Sequence, residues 1–306
     1  MPEYRGAWYF AQVAMRRRSR LSEVRAAHIT DPDALTVLGG RTMLTTVYDL
    51  IPLREGISRR RILAWAGYRS YLRALQRVET LFAISAQTAS DVVELLRIPT
   101  DRIVVVPPGI DLHPSLEGSI AGGSTPYFLF IGGPNPNKNL AVVLDALVMC
   151  PELAGELRVT GRWLPKQLAG LKQQLAAMGL SNRVRHLGFV PSGALPLLMR
   201  QATALVVPSR YEGFGLPVGE GLAAGAFVIH SRIPVLEEVS AGAALTFDPG
   251  SPEQLAACLK RAAGDPNVQR DLRTKGARRA QELTWDAGVE RTIASYRAVL
   301  DRVDVH

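Results

Sequence analysis

Short apolar runs alternate with longer amphipathic segments along most of the chain from about residue 40 onwards. The apolar runs are rich in β-branched residues, which predicts buried strands at 43–48, 81–84, 103–106, 127–131, 156–160, 204–207 and 226–230. Apolar residues at spacings of three and four predict helices at 59–79, 86–97, 139–149, 165–178, 193–201, 252–263 and 267–283. This alternation predicts parallel sheets covered by helices on both faces, which is a doubly wound α/β fold.

A break in the alternation divides the chain into two domains. Residues 107–126 are dense in proline, glycine and serine and have no period, so we place a linker there. We expect an N-terminal domain at 1–120, a C-terminal domain at 121–284, and a final helix at 285–306 that packs back towards the N-terminal domain. The N-terminal domain is expected to be abbreviated. Residues 1–27 read as helical or irregular, so the usual first strand and glycine-rich loop are not visible, unless the true start lies upstream.

Composition excludes a disordered chain, because 47% of the residues are hydrophobic and 21% are charged. The longest apolar stretch near the start, residues 7–15, is too short to cross a bilayer and precedes an arginine cluster, the reverse of a secretory signal. Cys150 and Cys258 are too few for a disulfide framework and are expected to be small core residues. The sequence therefore predicts a cytoplasmic protein.

The excess of positive charge lies near the start of the chain. The net charge is +8, and residues 1–80 alone hold 14 arginines against 7 acidic residues. Such a surface is either a solvated face or one that meets anionic lipid head groups. A nucleic-acid partner is not expected, because no nucleic-acid-binding motif accompanies the charge. We expect a peripheral contact with an anionic membrane surface, helped by the aromatic residues at 8–10.

The segment at 208–225, PSRYEGFGLPVGEGLAAG, carries the most information about chemistry. Pro217 suits the first turn of a helix, which should begin at about Leu216. Glu212 then lies in the preceding loop, whereas Glu220 lies on the helix with its side chain leaning back towards the helix start. Both carboxylates would face one cavity, beside an anion site formed by the backbone N–H groups at the helix start. The alternative for Glu220 is a carboxylate that only stabilises the helix dipole.

A second segment, IGGPNPNKNL at 131–140, lies between a predicted strand and a predicted helix. Its two glycines allow backbone to approach a ligand closely, and Lys138 offers a compact cation near a helix start. Alone it is a weak signal, because glycine-proline turns with a lysine are common and an ordinary loop is the favoured interpretation. Together with the two glutamates in the same domain, it indicates a diphosphate site.

These segments resemble family four of the retaining glycosyltransferases, which have the GT-B fold. The matching text is EGFGLPVGE, GGPNPNKN, AISAQTASDVVELL, IVVVPPGID and HLGFV, within about residues 28–285. The resemblance implies two Rossmann-like doubly wound domains facing across a cleft. It implies transfer of a hexose, mannose or glucose first, from a nucleotide diphosphate sugar to a glycan or lipid-linked acceptor. No cofactor or metal is expected; the donor is held by the C-terminal domain and the acceptor by the N-terminal one.

The resemblance also implies roles for particular residues. Glu212 and Lys138 are the expected catalytic residues: Glu212 orients the donor sugar, and Lys138 stabilises the departing diphosphate. Glu220 is expected to hold the ribose hydroxyls, and the backbone at Phe189 and Val190 to meet the base. The expected donor-binding residues are Glu220, Gly132, Gly133, Phe214, Gly215, Leu216 and Val190. We favour transfer on one face of the sugar, with the leaving phosphate taking the acceptor's proton, over a covalent intermediate.

The sequence departs from the family pattern on the acceptor side. Tyr48 stands before Asp49 where the family often has histidine, and Ser85 is a third expected residue of the acceptor-side cleft. Asn137 stands beside Lys138 where many relatives carry arginine, which removes one charge from the expected diphosphate site. A distant arginine would have to compensate for that charge.

Other assignments remain open at this stage. A catalytically inactive subunit that binds a nucleotide sugar would fit the abbreviated N-terminal domain, and a nucleotide-sugar 2-epimerase shares the architecture but lacks the EGFGLP text. A Rossmann dehydrogenase would need a GxGxxG loop, which is absent. Asp31 and Asp33 form a DPD triplet that reads as a turn rather than a metal site. His28 is either a cleft residue or, preferably, a structural histidine with hydrogen-bond partners.

Overall fold

The structure, a computed structural model of the chain, describes residues 26–31, 43–54, 62–112 and 125–303. The chain divides into two compact units. The first comprises residues up to Pro108 together with those from Asp286 onwards, and the second is Gly109–Trp285.

The first unit is built on a parallel sheet of four strands in the order β1-β2-β3-β4. The strands are β1 (Ala27–Ile29), β2 (Met43–Val47), β3 (Thr80–Ala83) and β4 (Ile103–Val105). The helices of this unit are α1 (Ile51–Arg54), α2 (Ile62–Leu75), α3 (Ala86–Leu96) and, from Asp286 onwards, the C-terminal helix (Trp285–Val303).

Helices cover both faces of this first sheet. Leu81 is buried with Leu75 of α2 and Val92 of α3, whereas its neighbour Phe82 is buried with Val299 of the C-terminal helix. Because successive residues of a strand point to opposite faces, α2 and α3 lie on one side of the sheet and the C-terminal helix lies on the other. The sequence predicted this layering.

The second unit is built on a sheet of six strands in the order β10-β9-β8-β5-β6-β7, with every pair parallel. The strands are β5 (Tyr127–Ile131), β6 (Glu156–Thr160), β7 (Val184–Gly188), β8 (Ala204–Val207), β9 (Val228–Ser231) and β10 (Leu245–Phe247). Counted from β5, the spatial order is 3-2-1-4-5-6, which is the Rossmann order. The predicted doubly wound α/β fold is confirmed.

Proline begins most helices of the second unit. The helices are α4 (Leu140–Val148), α5 (Pro165–Ala177), α6 (Leu195–Gln201), α7 (Leu216–Ala223), α8 (Pro234–Ser240), α9 (Pro252–Gly264) and α10 (Pro266–Glu282). A proline in the first turn loses no hydrogen bond, since the N–H it lacks would have no partner there. The core of this unit is dominated by four buried phenylalanines: Phe128, Phe130, Phe227 and Phe247.

Of the strands and α-helices named above, the sequence missed five: β1, β7, β10, α1 and α8. The prediction that residue 27 is helical or irregular is wrong because Ala27 begins β1. The predicted helix at 59–79 is shorter, Ile62–Leu75, within the described part, and the strand predicted at 226–230 begins two residues later. Of the helices that the structure describes, none is long and apolar enough to cross a bilayer.

Candidate active site

The order of the second sheet creates a switch point between β5 and β8. From β5 the chain continues to β6 on one side, and from β8 it continues to β9 on the other. In open parallel sheets, ligands bind beyond the carboxyl ends of the strands at such a point, because the loops diverge and leave a crevice. The loops concerned are 132–139 after β5 and 208–215 after β8, which are the two segments the sequence singled out.

Lys138 and Glu212 meet at this switch point. Lys138 Nζ lies 2.6 Å from Glu212 Oε1. The side chain of Glu212 is 10% exposed and that of Lys138 is 26% exposed, so the pair is largely shielded from water but open on the lysine side. Ser209 Oγ donates a second hydrogen bond of 2.6 Å to the same carboxylate oxygen. The structure therefore brings together both predicted catalytic residues.

Two asparagines fasten the loops to each other. The side-chain Nδ2 of Asn137 donates to the main-chain carbonyl of Tyr211 at 2.7 Å. The main-chain carbonyl of Asn137 accepts a hydrogen bond from the N–H of Arg210 at 2.9 Å. Asn139 Nδ2 donates to the carbonyl of Pro208 at 3.1 Å. Asn137 is only 1% exposed, so its side chain points into the protein and has a structural role. The exposed residue beside it on the glutamate loop is Arg210.

Gly132 and Gly133 adjoin the lysine loop in different ways. The N–H of Gly132 donates to the carbonyl of Thr160 at 3.0 Å, so this group is engaged within the sheet. A Cβ at Gly132 would lie 3.2 Å from the ring of Phe130 and 3.3 Å from Cγ of Lys138, so glycine allows the lysine stem to pass close to the backbone. Gly133 is half-buried and its nearest neighbour, the carbonyl of Arg162, would lie 3.7 Å from an added Cβ.

The helix after the glutamate loop begins where the sequence predicted, at Leu216. Gly215 has φ +95° at its N-cap, and an added Cβ would lie 2.3 Å from Leu236 Cδ2, so this position requires glycine on two counts. Phe214 is buried and Leu216 is exposed. Glu220 is half-buried as the fifth residue of α7.

The end of β6 adds Arg162, which the sequence did not single out, beside the predicted Phe189 at the end of β7. The guanidinium of Arg162, just after β6, lies 4.6 Å from the ring centroid of Phe189, just after β7. Phe189 is 59% exposed and Val190 is half-buried. The sequence signal that could have pointed to Arg162 was the Gly161–Arg162 pair directly after the predicted strand at 156–160. Gly161 there has φ +140°, and a Cβ would lie 2.4 Å from the carbonyl of Gly132.

The predicted acceptor-side residues belong to the first unit and differ in accessibility. Tyr48 is 45% exposed, and Asp49 accepts a hydrogen bond from the N–H of Ile51 at 3.0 Å. Ser85 has no exposed surface, and its hydroxyl accepts from the N–H of Thr88 at 3.0 Å as the N-cap of α3. The expectation that Ser85 lines a cleft is not supported by this burial, which gives the side chain a structural role.

Two tyrosines of the first unit have phenols with perturbed pKa values. The pKa of Tyr68 is raised chiefly by burial and in addition by the negative charge of Asp49. The pKa of Tyr71 is raised chiefly by burial and in addition by Tyr68 and Asp49. The two phenols therefore remain protonated at neutral pH.

His28 has a partner at each ring nitrogen. Nδ1 lies 2.6 Å from the hydroxyl of Tyr296, and Nε2 lies 2.9 Å from Oγ1 of Thr46. Burial lowers its pKa, so the ring is neutral at physiological pH. These contacts support the structural interpretation of His28.

Among the described residues, no three His, Cys, Asp or Glu side chains are grouped as metal ligands would be. Asp33, His113, the arginines at 16–20 and 59–61 and the aromatic residues at 8–10 lie outside the described residues.

Comparison with known families places the chain. The profile of the family described as Glycosyl transferases group 1 matches residues 119–279, more than half of the chain. The chain belongs to the glycosyl transferases group 1 family. A second profile, Glycosyltransferase Family 4, matches residues 2–113.

Several curated proteins are similar to this family member. O-antigen chain mannosyltransferase B of Escherichia coli is 28% identical over 248 residues, which cover 75% of this chain and 63% of that protein. D-inositol 3-phosphate glycosyltransferase of Thermomonospora curvata is 30% identical over 257 residues, covering 74% of this chain and 58% of that protein. The chain thus spans about three fifths of the length of these relatives.

Solved structures share the fold of this group 1 chain. Sucrose-phosphate synthase from Thermosynechococcus elongatus superposes with a TM-score of 0.81 at 19% identity, covering 99% of this chain and 81% of that one. Anabaena HepE in complex with UDP-glucose superposes with a TM-score of 0.78 at 16% identity, covering 94% of this chain and 82% of that one. The GT-B fold expected from the sequence is therefore confirmed.

Proposed function

We propose that this protein transfers a hexose from a nucleotide diphosphate sugar to a glycan or lipid-linked acceptor, with retention at the anomeric carbon. The observation that carries the proposal is the Lys138–Glu212 pair at the switch point of the second sheet. The named activities of the mannosyltransferase and inositol-phosphate glycosyltransferase relatives support the reaction class. Mannose and glucose are the first sugars to test.

Each member of the pair suits one part of such a donor. Lys138, the more exposed partner, is a compact cation that can offset the charge developing on a departing diphosphate. Glu212 is an acceptor-only carboxylate when ionised, so it can bind sugar hydroxyl groups and orient the ring. The base would lie towards Phe189 and Val190, which follow β7, two strands from β5 in the sheet.

The test is turnover of a labelled donor by the purified protein. UDP-glucose and GDP-mannose are offered with lipid-linked and free oligosaccharide acceptors, and the anomeric configuration of the product is read by NMR. Lys138→Ala should lower turnover about 100-fold or more, as expected for loss of one transition-state donor. Lys260→Ala is the matched control, because Lys260 pairs with the exposed Glu152 instead. Normal turnover by both Lys138→Ala and Glu212→Ala would show that the assignment is wrong.

Two other outcomes would redirect the proposal. Tight binding of a nucleotide sugar without turnover for any acceptor would indicate a binding subunit. Conversion of the donor sugar without an acceptor would indicate an epimerase.

We further propose that the acceptor is reached at an anionic membrane surface. Among the described residues, Arg69 and Arg73 are exposed one helical turn apart on α2, and Arg77 is exposed just after it. At about 1 kcal/mol per basic residue near such a surface, a few contacts give reversible, salt-sensitive binding. Sedimentation with anionic and neutral vesicles, at low and high salt, tests this. Equal partitioning onto both kinds of vesicle would refute it and leave the transferase proposal intact.

A further inference from the structure

Ser209 is the least accessible polar residue in contact with Glu212. Its hydroxyl donates to Glu212 Oε1 at 2.6 Å, and the residue is 1% exposed. Its carbonyl accepts a hydrogen bond from the hydroxyl of Ser231, which is completely buried at the end of β9. Ser209 is thus fixed by a neighbouring strand and directs its hydroxyl at the glutamate.

Lys138 and Ser209 share one oxygen of Glu212, but only the lysine is accessible. Both donors lie 2.6 Å from Oε1. A diphosphate that enters the site carries more negative charge than a single carboxylate, so it draws the ammonium group of Lys138 towards itself. Glu212 would then lose one of the two side-chain donors, Lys138 and Ser209, that the described part of the chain gives this oxygen. A carboxylate that is buried without a donor is strongly disfavoured, and Ser209 is the donor that remains.

We propose that Ser209 is a positioning residue: its hydroxyl holds the Glu212 carboxylate in register with the donor sugar after Lys138 has moved to the donor diphosphate. This inference rests on the proposed function. In this proposal Lys138 exchanges Glu212 for the donor diphosphate, whereas Ser209, held by Ser231, keeps its hydrogen bond to Glu212.

The proposal predicts a separation between the nucleotide and the sugar parts of the donor. Ser209→Ala should leave the affinity for UDP or GDP within about twofold of wild type, because the Ser209 hydroxyl donates to Glu212, the residue proposed to bind the sugar, and not to the lysine proposed to bind the diphosphate. Turnover of the active nucleotide sugar should fall about 10- to 100-fold, the effect of losing a hydrogen bond to a charged group. Lys138→Met should instead weaken UDP or GDP binding as well as turnover.

Three further variants separate positioning from folding. Ser240→Ala removes another buried serine hydroxyl of the same unit, one that bonds His230 rather than Glu212, and should keep normal kcat and nucleotide affinity. Ser231→Ala releases the carbonyl of Ser209 and should lower kcat less than Ser209→Ala, again without loss of UDP or GDP affinity. Ser209→Thr keeps the hydroxyl and should recover part of the turnover.

Calorimetry with UDP and GDP, together with kcat and KM for the active donor, decides the matter. Reduced kcat with unchanged nucleotide affinity in Ser209→Ala supports the proposal. Unchanged kcat overturns it, and so does a parallel loss of nucleotide affinity, since that would mean a collapsed loop. Failure of the wild-type protein to bind any nucleotide would instead overturn the proposed function, and this outcome is recognised before any variant is made.

Discussion

Asn139 offers a sharp test of how the two loops are held. It is 3% exposed and occupies the left-handed region at φ 54°, just before α4. Its Nδ2 donates to the carbonyls of Pro208 at 3.1 Å and Pro249 at 2.9 Å. One side chain therefore ties the lysine loop to the glutamate loop and to the loop after β10.

Asn139→Ala should destabilise the second unit by about 2–5 kcal/mol. Leaving buried carbonyls without their donor costs about 1–3 kcal/mol, and alanine in the left-handed region adds about 1–2 kcal/mol. Asn139→Gly also removes the amide, but glycine adopts the left-handed conformation without strain. The glycine variant should therefore be less destabilised than the alanine variant by about 1 kcal/mol. For a unit of this size, 1 kcal/mol shifts Tm by about 2–4 °C.

Thermal unfolding followed by circular dichroism, with UDP affinity as a second readout, checks this prediction. The alanine variant should melt roughly 4–20 °C below wild type, by the same conversion, and the glycine variant should melt between the alanine variant and wild type. If Asn139→Gly melts at the wild-type temperature, the side-chain hydrogen bonds contribute nothing to stability, and Asn139 matters only because it tolerates the left-handed backbone conformation. If neither variant changes Tm, the inference that the Asn139 amide stabilises the contact between the loops is wrong.

Three other predictions follow from separate features. Burial lowers the pKa of His230 to about 4 from its ordinary 6.5. As pH falls, the imidazole therefore takes up its proton in the unfolded chain at a higher pH than in the folded protein, which favours unfolding. Unfolding free energy should drop by up to about 3 kcal/mol between pH 6.5 and 4, and His230→Asn should flatten that slope in Tm measured against pH. Arg162→Ala and Phe189→Ala should each weaken UDP or GDP binding several-fold in calorimetry, if the base lies on their stacked surface; unchanged affinities would place the base elsewhere. Chelator should leave turnover nearly unchanged, because the proposed diphosphate site relies on Lys138 and backbone N–H groups rather than on a metal; activity lost with chelator and restored by manganese would contradict this.

The sequence predicted every central strand but only one of the four edge strands, β4, whose residues Ile103–Val105 are all apolar. Among the central strands, β5 and β8 are continuous apolar runs because both of their faces are covered. Each missed strand, β1, β7 and β10, lies at an edge of its sheet among the described residues. Edge strands are less buried, and here they are either three residues long or, in β7, interrupted by Arg185 and His186. The apolar signal of the missed strands was therefore too weak to read.

The sequence found the charged residues of the site but not those that hold them. Lys138 and Glu212 belong to segments with recognisable glycine and proline patterns, so their proximity was predicted. Ser209 and Asn139 lie in the same two segments, but their roles depend on which way the side chains point and on hydrogen-bond partners in other loops and strands, such as Pro249 for Asn139 and Ser231 for Ser209. From the sequence, Asn137 was interpreted only as the loss of an arginine charge from the expected diphosphate site. Its burial and its hydrogen bond to Tyr211 show that it supports the glutamate loop. Residue type alone does not say whether a polar side chain points to ligand or to backbone.

The order of the strands explains why two segments 74 residues apart form one site. β5 and β8 are paired directly, with Phe130 opposite Val206, so the loops that follow them start about 4.8 Å apart. Had the strands been arranged in simple chain order, β8 would lie three positions from β5, about 14 Å away by the same spacing. Lysine and serine donors could not then reach the same oxygen of Glu212. The Rossmann order is thus the condition for the Lys138–Glu212–Ser209 cluster, and any change of partner by the lysine takes place on a framework that the sheet itself holds fixed.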